Sequence, residues 1–208
     1  WGTSTDFKGL DNIYAYSVRS DHGGYVNGTI AAQITESGTV GVVGPVEAGD
    51  AKLYVDGFVA GAAAQNPDVV VNVNYIESFS DVALAAEAAT SHIASGADVL
   101  TGTAQMVVGA TGVAQAEGVP WFGTQSNQTA LGEDIVVASQ VYHWEVIIEP
   151  ILDQIADGTL GGEVFELTLA NGGLVIEFND AFGLDSAIQS AAEETVAGLT
   201  SGEVSTGL

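Results

Sequence analysis

Between Thr39 and Thr124 the chain repeats one cycle: a short apolar run, a small polar turn, then a stretch with apolar residues every third or fourth position. TVGVVGPVEAGD, VVVNVNYIESFSD, VLTGTAQ and VPWFGTQSN are the four run-to-turn exits. Thr39–Gly44 is continuously apolar, as expected of a strand buried on both faces. Asp50 is a candidate N-cap for a helix carrying Leu53, Val55, Phe58, Val59 and Ala62, which Asn66-Pro67 ends. Val69–Tyr75 reads as the second strand. Ser80 or Asp81 caps the next helix, through Leu84, Ala85, Ala88 and Ile93, and Gly96 ends it. A third strand over Asp98–Thr101, a helix over Gln105–Gln115, and strands over Val119–Gly123 and Ile135–Ser139 complete the cycle. Strands recur every 30 residues or so, about the length a βαβ unit needs. Right-handed crossovers then place every strand's C-terminal end on one edge, where doubly wound α/β proteins bind small ligands.

The flanks follow a different grammar. Residues 13–18 (IYAYSV) predict a short strand, Asp21–Gly24 a break, and Tyr25–Ile34 a helix face, with Gly38 suited to the left-handed position after its end. Tyr142–Ile155 predicts a helix rich in large apolar residues, stopped at Asp157-Gly158. Val164–Leu169 and Leu174–Phe178 predict two strands around Asn171-Gly172-Gly173, a hairpin-like signal. Asp185–Leu199 predicts a final amphipathic helix, and the small polar tail Ser201–Leu208 is expected to fray. Residues 1–38 and 139–208 thus look like pieces of a second unit flanking the repeat.

Composition narrows the partners. At 208 residues the chain can bury one core or two small lobes, and 47% apolar residues imply a folded protein. Runs such as VVASQVY and LVIEF are far too short to span a bilayer. The chain opens on Trp1 without a basic n-region or apolar h-region, so a targeting segment is expected to have been removed, or the chain to begin inside a longer precursor. Only Lys8, Arg19 and Lys52 oppose 27 carboxylates, for a formal charge of −24. That balance disfavours nucleic acid, whose phosphates need Lys and Arg, and an anionic membrane surface. It reads as a solubilising acidic coat, or as adaptation to a salty exterior, in which case stability rises with added salt. Cysteine is absent, which removes disulfides, thiolate nucleophiles and Cys-based metal sites.

Catalytic chemistry finds little purchase. His22, His92 and His143 sit in unrelated segments without metal-ligand spacing, His92 being expected half exposed on its helix. There is no G-x-S-x-G elbow, Walker A loop or G-x-G-x-x-G fingerprint. Asn27-Gly28-Thr29 and Asn127-Gln128-Thr129 match the glycosylation sequon, a pattern common by chance. No enzyme activity, cofactor or metal is expected.

GYVNGTIAAQITESGTVGVVGPVE, VDGFVAGAAAQNPDVVVNVNYIESFSD, ASGADVL and WFGTQSNQ, taken in order, resemble the basic-membrane-protein family, substrate-binding proteins of ABC importers that include bacterial purine-nucleoside receptors. DGTLGGEVFELTLANGGLVIEF is similar to the family's closing hairpin. The resemblance covers most of residues 12–200. It implies an α/β type I periplasmic-binding-protein fold, in which two Rossmann-like lobes joined by crossing strands close over a ligand, with residues 39–138 as the complete second lobe and 1–38 and 139–208 as crossing segments and the remaining part of the first lobe. It also implies an extracytoplasmic setting, secreted or lipid-anchored through an anchor outside this chain, and an ABC permease as partner. Family members carry a substantial stretch before the position of Asn12, forming most of the first lobe, which this chain lacks.

The resemblance also nominates contacts. In nucleoside-binding members an aromatic at the position of Phe79 stacks on the base; the alternative is a buried packing Phe. Glu47 is positioned to accept hydrogen bonds from ligand hydroxyls, or is simply solvated. Relatives place a Gly-rich turn where this chain has Thr103-Ala104-Gln105-Met106, so Gln105 is a candidate reader of a polar ligand edge and Thr103 a neighbour, while Met106 and Val107 face the core. Gln125 replaces a family Asp that grips ribose hydroxyls, and Asn127 can share its task. Tyr142 stands near a family Lys, and with Trp144 serves either the ligand or hinge packing. These departures point to a neutral, hydroxylated or ring-containing ligand. The competing expectation is a surface or self-assembling protein that reuses the fold without transport.

Overall fold

The computed structural model describes residues 7 and 9–208, so Trp1 and Lys8 lie outside the described residues. Apolar runs became strands where both faces could be covered. Thr39–Gly44 (β2), Val99–Gly102 (β4), Trp121–Gly123 (β5) and Val136–Tyr142 (β6) are buried along nearly their whole lengths. With Val70–Tyr75 (β3) at one edge and Leu174–Phe178 (β8) at the other, they form a six-stranded sheet in the order β3-β2-β4-β5-β6-β8. Strands β2 to β6 run parallel, and β8 lies antiparallel along β6.

Helices cover both faces. Ser20–Ile34 (α1), Gly49–Gln65 (α2) and Ser186–Ser201 (α6) close one side over Val42, Phe58 and Phe122. Val82–Ala94 (α3) and Val107–Glu117 (α4) close the other over Val43, Leu100, Met106 and Trp121. Adjacent residues Val42 and Val43 serve opposite cores, as the two-residue period of a strand requires. A second, smaller unit pairs Ala15–Val18 (β1) in parallel with Val164–Leu167 (β7). Glu145–Ala156 (α5) packs there through Ile147, against Tyr16, Val18 and Leu167. The large sheet therefore draws in α1, β8 and α6 from beyond residues 39–138.

Two glycine pairs set the distance between α1 and α2. A Cβ on Gly24 or Gly28 of α1 would strike the carbonyl oxygens of Tyr54 and Phe58; one on Gly57 or Gly61 of α2 would strike those of Asp21 and Tyr25. Backbone meets backbone from both sides, four residues apart on each helix. This explains why Asp21–Gly24, expected as a break, forms the first turns of α1: its glycines are there for close approach, and Gly23 makes room for the buried Gln140 side chain.

Other expectations are corrected. The Asn171 turn exists, with the Asn171 Oδ1 accepting from the Thr168 and Gly173 amides. The strands it joins do not form a hairpin, because β7 pairs with β1 and β8 with β6. Tyr142 ends β6, paired with Leu174, instead of starting a helix. The tail is anchored: Thr206 is buried and its hydroxyl donates to Asp21 Oδ2 at 2.7 Å, while Val204 fills the space beside Gly198. Asp21, 1% exposed, also receives two hydrogen bonds from Arg19. Burial opposes its charge, but the bonds from Arg19 and Thr206 outweigh this and hold its carboxyl below the ordinary range. His92 is buried, not half exposed, and its Nε2 lies 3.2 Å from the Val42 carbonyl in space left by Gly41. Asn27 is fully buried and donates to the Tyr54 hydroxyl, so its sequon is closed to modification in the folded chain. No helix among the described residues is long and apolar enough to cross a membrane.

Candidate functional site

The chain leaves β2 through α2 to β3 on one side, and returns through α3 past β2 to β4 on the other. Strand order thus reverses between β2 and β4, and their C-terminal ends splay apart into a crevice, the usual ligand site of an open α/β sheet. A cleft of about 320 Å³ lies there, lined by Ala48, Gly49, Asp50, Ala51, Phe79, Ala104 and Gln125. These residues come from the exits of β2, β3, β4 and β5, brought together by parallel register alone.

The exits are tied to one another by main-chain bonds. Ser78 N donates to the Pro45 carbonyl, and Met106 N to the Phe79 carbonyl at 3.0 Å. Asp81 caps α3 by accepting from Leu84 N, and Ser78 Oγ accepts from the Ser80 and Asp81 amides. Phe79 is thus held by its backbone, and the residue stays 50% exposed at the cleft. That is unlike a packing Phe and suits a ring awaiting a flat partner.

Three of the four exits contain a non-glycine residue in the left-handed region: Glu77 after β3 (φ 56°), Ala104 after β4 (φ 75°) and Gln125 after β5 (φ 68°). Such a conformation costs an L-residue about 1–2 kcal/mol and is retained where the surroundings over-determine it, often at functional sites. Ala104 therefore keeps the backbone shape of a Gly-rich turn without the glycine. At Gln125 the carbonyl accepts from Tyr142 N at 3.1 Å. The loop beyond is pinned by buried Gln128, which accepts from Trp121 Nε1 and donates to the Thr124 carbonyl, both at 2.8 Å.

The other nominated residues spread around this cleft. Gln105 and Asn127, with Gln125 and Ala104, line an adjoining depression of about 290 Å³. Asn127 turns away from Phe79: its Nδ2 donates to Glu177 Oε2 at 2.7 Å and its Oδ1 caps Thr129 N. Glu47 lies on the far side of the α2 N-terminus, mostly exposed, 3.5 Å from Lys52 Nζ. Thr103 is buried beneath the exit. Tyr142 shares a 2.8 Å hydrogen bond with Ser20 Oγ, and burial, followed by lesser contributions that include the Asp50 charge, pushes its phenol far up. Trp144 meets Tyr16 and Tyr142 edge-on, at ring-centroid distances of 5.2 Å and 5.6 Å. Structure thus joins Phe79 and Gln125 in one cleft, sets Gln105 and Asn127 beside it, and places Tyr142 and Trp144 in the aromatic packing between the two sheets.

Five of the seven lining residues escaped sequence reasoning, Asp50 and Ala104 the most informative among them. Asp50 reads as an N-cap, but Ala48 holds that position and Asp50 sits in the first turn, facing the cleft. Burial raises its carboxyl above the ordinary value. An acid at a strand exit with no Lys or Arg three or four residues on is the signal that could have marked it. Ala104 carries none, since its role lies in φ.

The model of the Bmp family, described as ABC transporter substrate-binding protein, PnrA-like, matches residues 3–205. A purine-binding protein of Brucella abortus is 28% identical over 201 residues, covering 97% of this chain and 57% of that protein. An ABC transporter nucleoside-binding protein of Lactococcus lactis is 26% identical over 195 residues, covering 84% of this chain and 55% of that one. This chain therefore spans little more than half the length of either relative. Among solved structures, an ABC transporter solute-binding protein of Conexibacter woesei superposes with a TM-score of 0.79 at 24% identity, covering 99% of this chain and 69% of that one. The shared fold is the type I periplasmic-binding-protein fold.

Proposed function

Because the chain belongs to the Bmp family of PnrA-like ABC transporter substrate-binding proteins, we propose that its Phe79 cleft is the ligand face of one jaw of a solute receptor. The ligand is a small neutral solute, nucleoside-like or otherwise ring-containing and hydroxylated. The receptor works outside the cytoplasm and hands this solute to an ABC permease. It carries out no chemistry; its working step is closure of a second jaw over the bound ring. The six-stranded unit built around residues 39–138 is one jaw, and β1, α5 and β7 belong to the other. Half-exposed Ile148, Leu152 and Ile155 on α5 are the kind of apolar surface a fuller lobe covers.

The observation that carries this reading is half-exposed Phe79 at the switch-point cleft, with Gln125 across from it. A hydroxyl-bearing ring can stack on Phe79 while the Gln125 amide supplies either a donor or an acceptor. Thermal-shift measurements with nucleosides, sugars and related heterocycles test it, since a true ligand stabilises the native state by mass action. Phe79→Ala removes any such shift if the cleft is the site. Silence across the panel counts against the reading.

One observation favours the assembly alternative. Edge strand β3 exposes Val70 and Val73 and carries no charged residue, so it lacks the protection an edge usually has against pairing with another chain. Light scattering on the purified chain separates the two: a monomer supports the receptor, a filament or large array the assembly.

A further inference from the structure

The cleft holds a carboxylate that the protein itself leaves unpaired. Asp50 accepts no hydrogen bond from any described residue: among the described residues lining the cleft only Gln125 has a side-chain donor, and it makes no bond to Asp50, while the Tyr142 hydroxyl, close enough to feel the Asp50 charge, is engaged with Ser20 Oγ. Other partly buried aspartates are matched: Asp21 by Arg19 and Thr206, Asp98 by the Thr35 hydroxyl and the Glu36 and Ser37 amides, Asp56 by Lys52. The two described Lys and Arg side chains are committed elsewhere, Arg19 to Asp21 and Lys52 to Asp56 and Glu47. Phe79 stands on the same cleft, and an aromatic face favours a cation or a polarised N–H above it. Asp50 also occupies the first turn of α2, the place where a helix would otherwise attract an anion.

We propose that Asp50 determines the specificity of this cleft, selecting a planar-ring ligand that bears an amine or comparable N–H donor over the same ring bearing an anion. The inference rests on the reading of the cleft as a ligand site, and it replaces the wholly neutral solute of that reading with a ring that carries a protonated amine or a comparable N–H donor. The amine pairs with the Asp50 carboxylate while the ring stacks on Phe79, and Gln125 takes up whatever polar edge remains. An anionic analogue meets the Asp50 charge inside a chain of net charge −24 and is rejected. Burial raises the pKa of Asp50, so the folded chain holds this charge at a cost to its own stability, as a recognition group would.

Calorimetric titration of the full chain at fixed ionic strength tests this with two matched series. One is tryptamine, tryptophol and indole-3-acetate; the other is 5′-amino-5′-deoxyadenosine, adenosine and its 5′-monophosphate. In each series the amine is expected to bind tightest and the anion weakest. Asp50→Asn is expected to weaken the amine about tenfold or more, the size of a charge-assisted hydrogen bond, while changing the alcohol by under about threefold. Equal binding of amine and alcohol, or uniform weakening of all members by Asp50→Asn, overturns the inference and leaves the cleft reading standing. If no member of either series binds, the cleft reading fails and the inference with it. A ligand-free measurement stands apart from both. Asp50→Asn is expected to raise the melting temperature by about 2 °C, because an unpaired, partly buried charge is removed. A fall instead makes Asp50 a structural helix-terminus residue and overturns the proposal.

Discussion

Replacing Gly61 by alanine tests the packing that places the cleft. A Cβ there would press on the Tyr25 carbonyl, 2.7 Å from its carbon and 2.8 Å from its Cα. The carbonyl oxygen lies nearer still, so restoring an ordinary 3.4 Å contact parts α1 and α2 by more than about 0.7 Å in a core packed to crystal density. Both sides are backbone, so no rotamer change relieves the clash. Helix propensity alone favours alanine by about 1 kcal/mol, whereas overpacking costs about 1–3 kcal/mol and more when backbones must part. The net is a loss of about 2 kcal/mol, which lowers the melting temperature by about 4–8 °C in a chain of this size. Gly112→Ala is the matched control, since it lies within α4 with nothing inside 4 Å of its added Cβ. There the same substitution is expected to raise stability by about 0.5–1 kcal/mol. Urea titrations of the three proteins read both signs. If Gly61→Ala is neutral or stabilising like the control, the α1–α2 contact is not what sets the helix spacing, and the reasoning fails.

Further substitutions probe the remaining features. Ala104→Gly relieves a left-handed alanine and is expected to stabilise by about 0.5–1 kcal/mol, net of the extra backbone entropy of glycine, as read by urea midpoint. Thr206→Val leaves Asp21 with Arg19 alone and is expected to cost about 1 kcal/mol and speed amide exchange in the tail after Ser201. Burial, despite a partly offsetting bond to the Val42 carbonyl, lowers the pKa of His92 below its ordinary 6.5, so the unfolded chain takes up the proton first. Stability is therefore unaffected well above pH 6.5, and falls as pH drops below 6.5 towards the native value; melting scans from pH 8 to 5 with and without His92→Gln measure that slope.

The parallel sheet was legible because buried strands leave continuous apolar runs. Thr39–Gly44 and Leu174–Phe178 coincide with β2 and β8 residue for residue. Glycine was the main source of error. In Asp21–Gly24 it reads as a breaker, because a sequence does not show that another helix's backbone lies against it. The closing strands misled for a topological reason: a local turn signal at Asn171 says nothing about which neighbours its strands will find, and β7 and β8 find different sheets. The tail looked free because its anchor, Asp21, lies at the other end of the chain. In the site, the strand pattern located the turns, but it was the family resemblance that singled out Phe79 and Gln125 within them. Asp50 could not be named, since a first-turn acid has a sufficient local explanation as a cap.

The most direct test of the receptor reading is an amide NMR titration of the chain with purine nucleosides and with the amine-bearing rings above. Chemical-shift changes are expected to centre on Asp50, Phe79, Ala104 and Gln125 and to vanish with Phe79→Ala. Changes located elsewhere and untouched by that substitution, or none at saturating ligand, would contradict it.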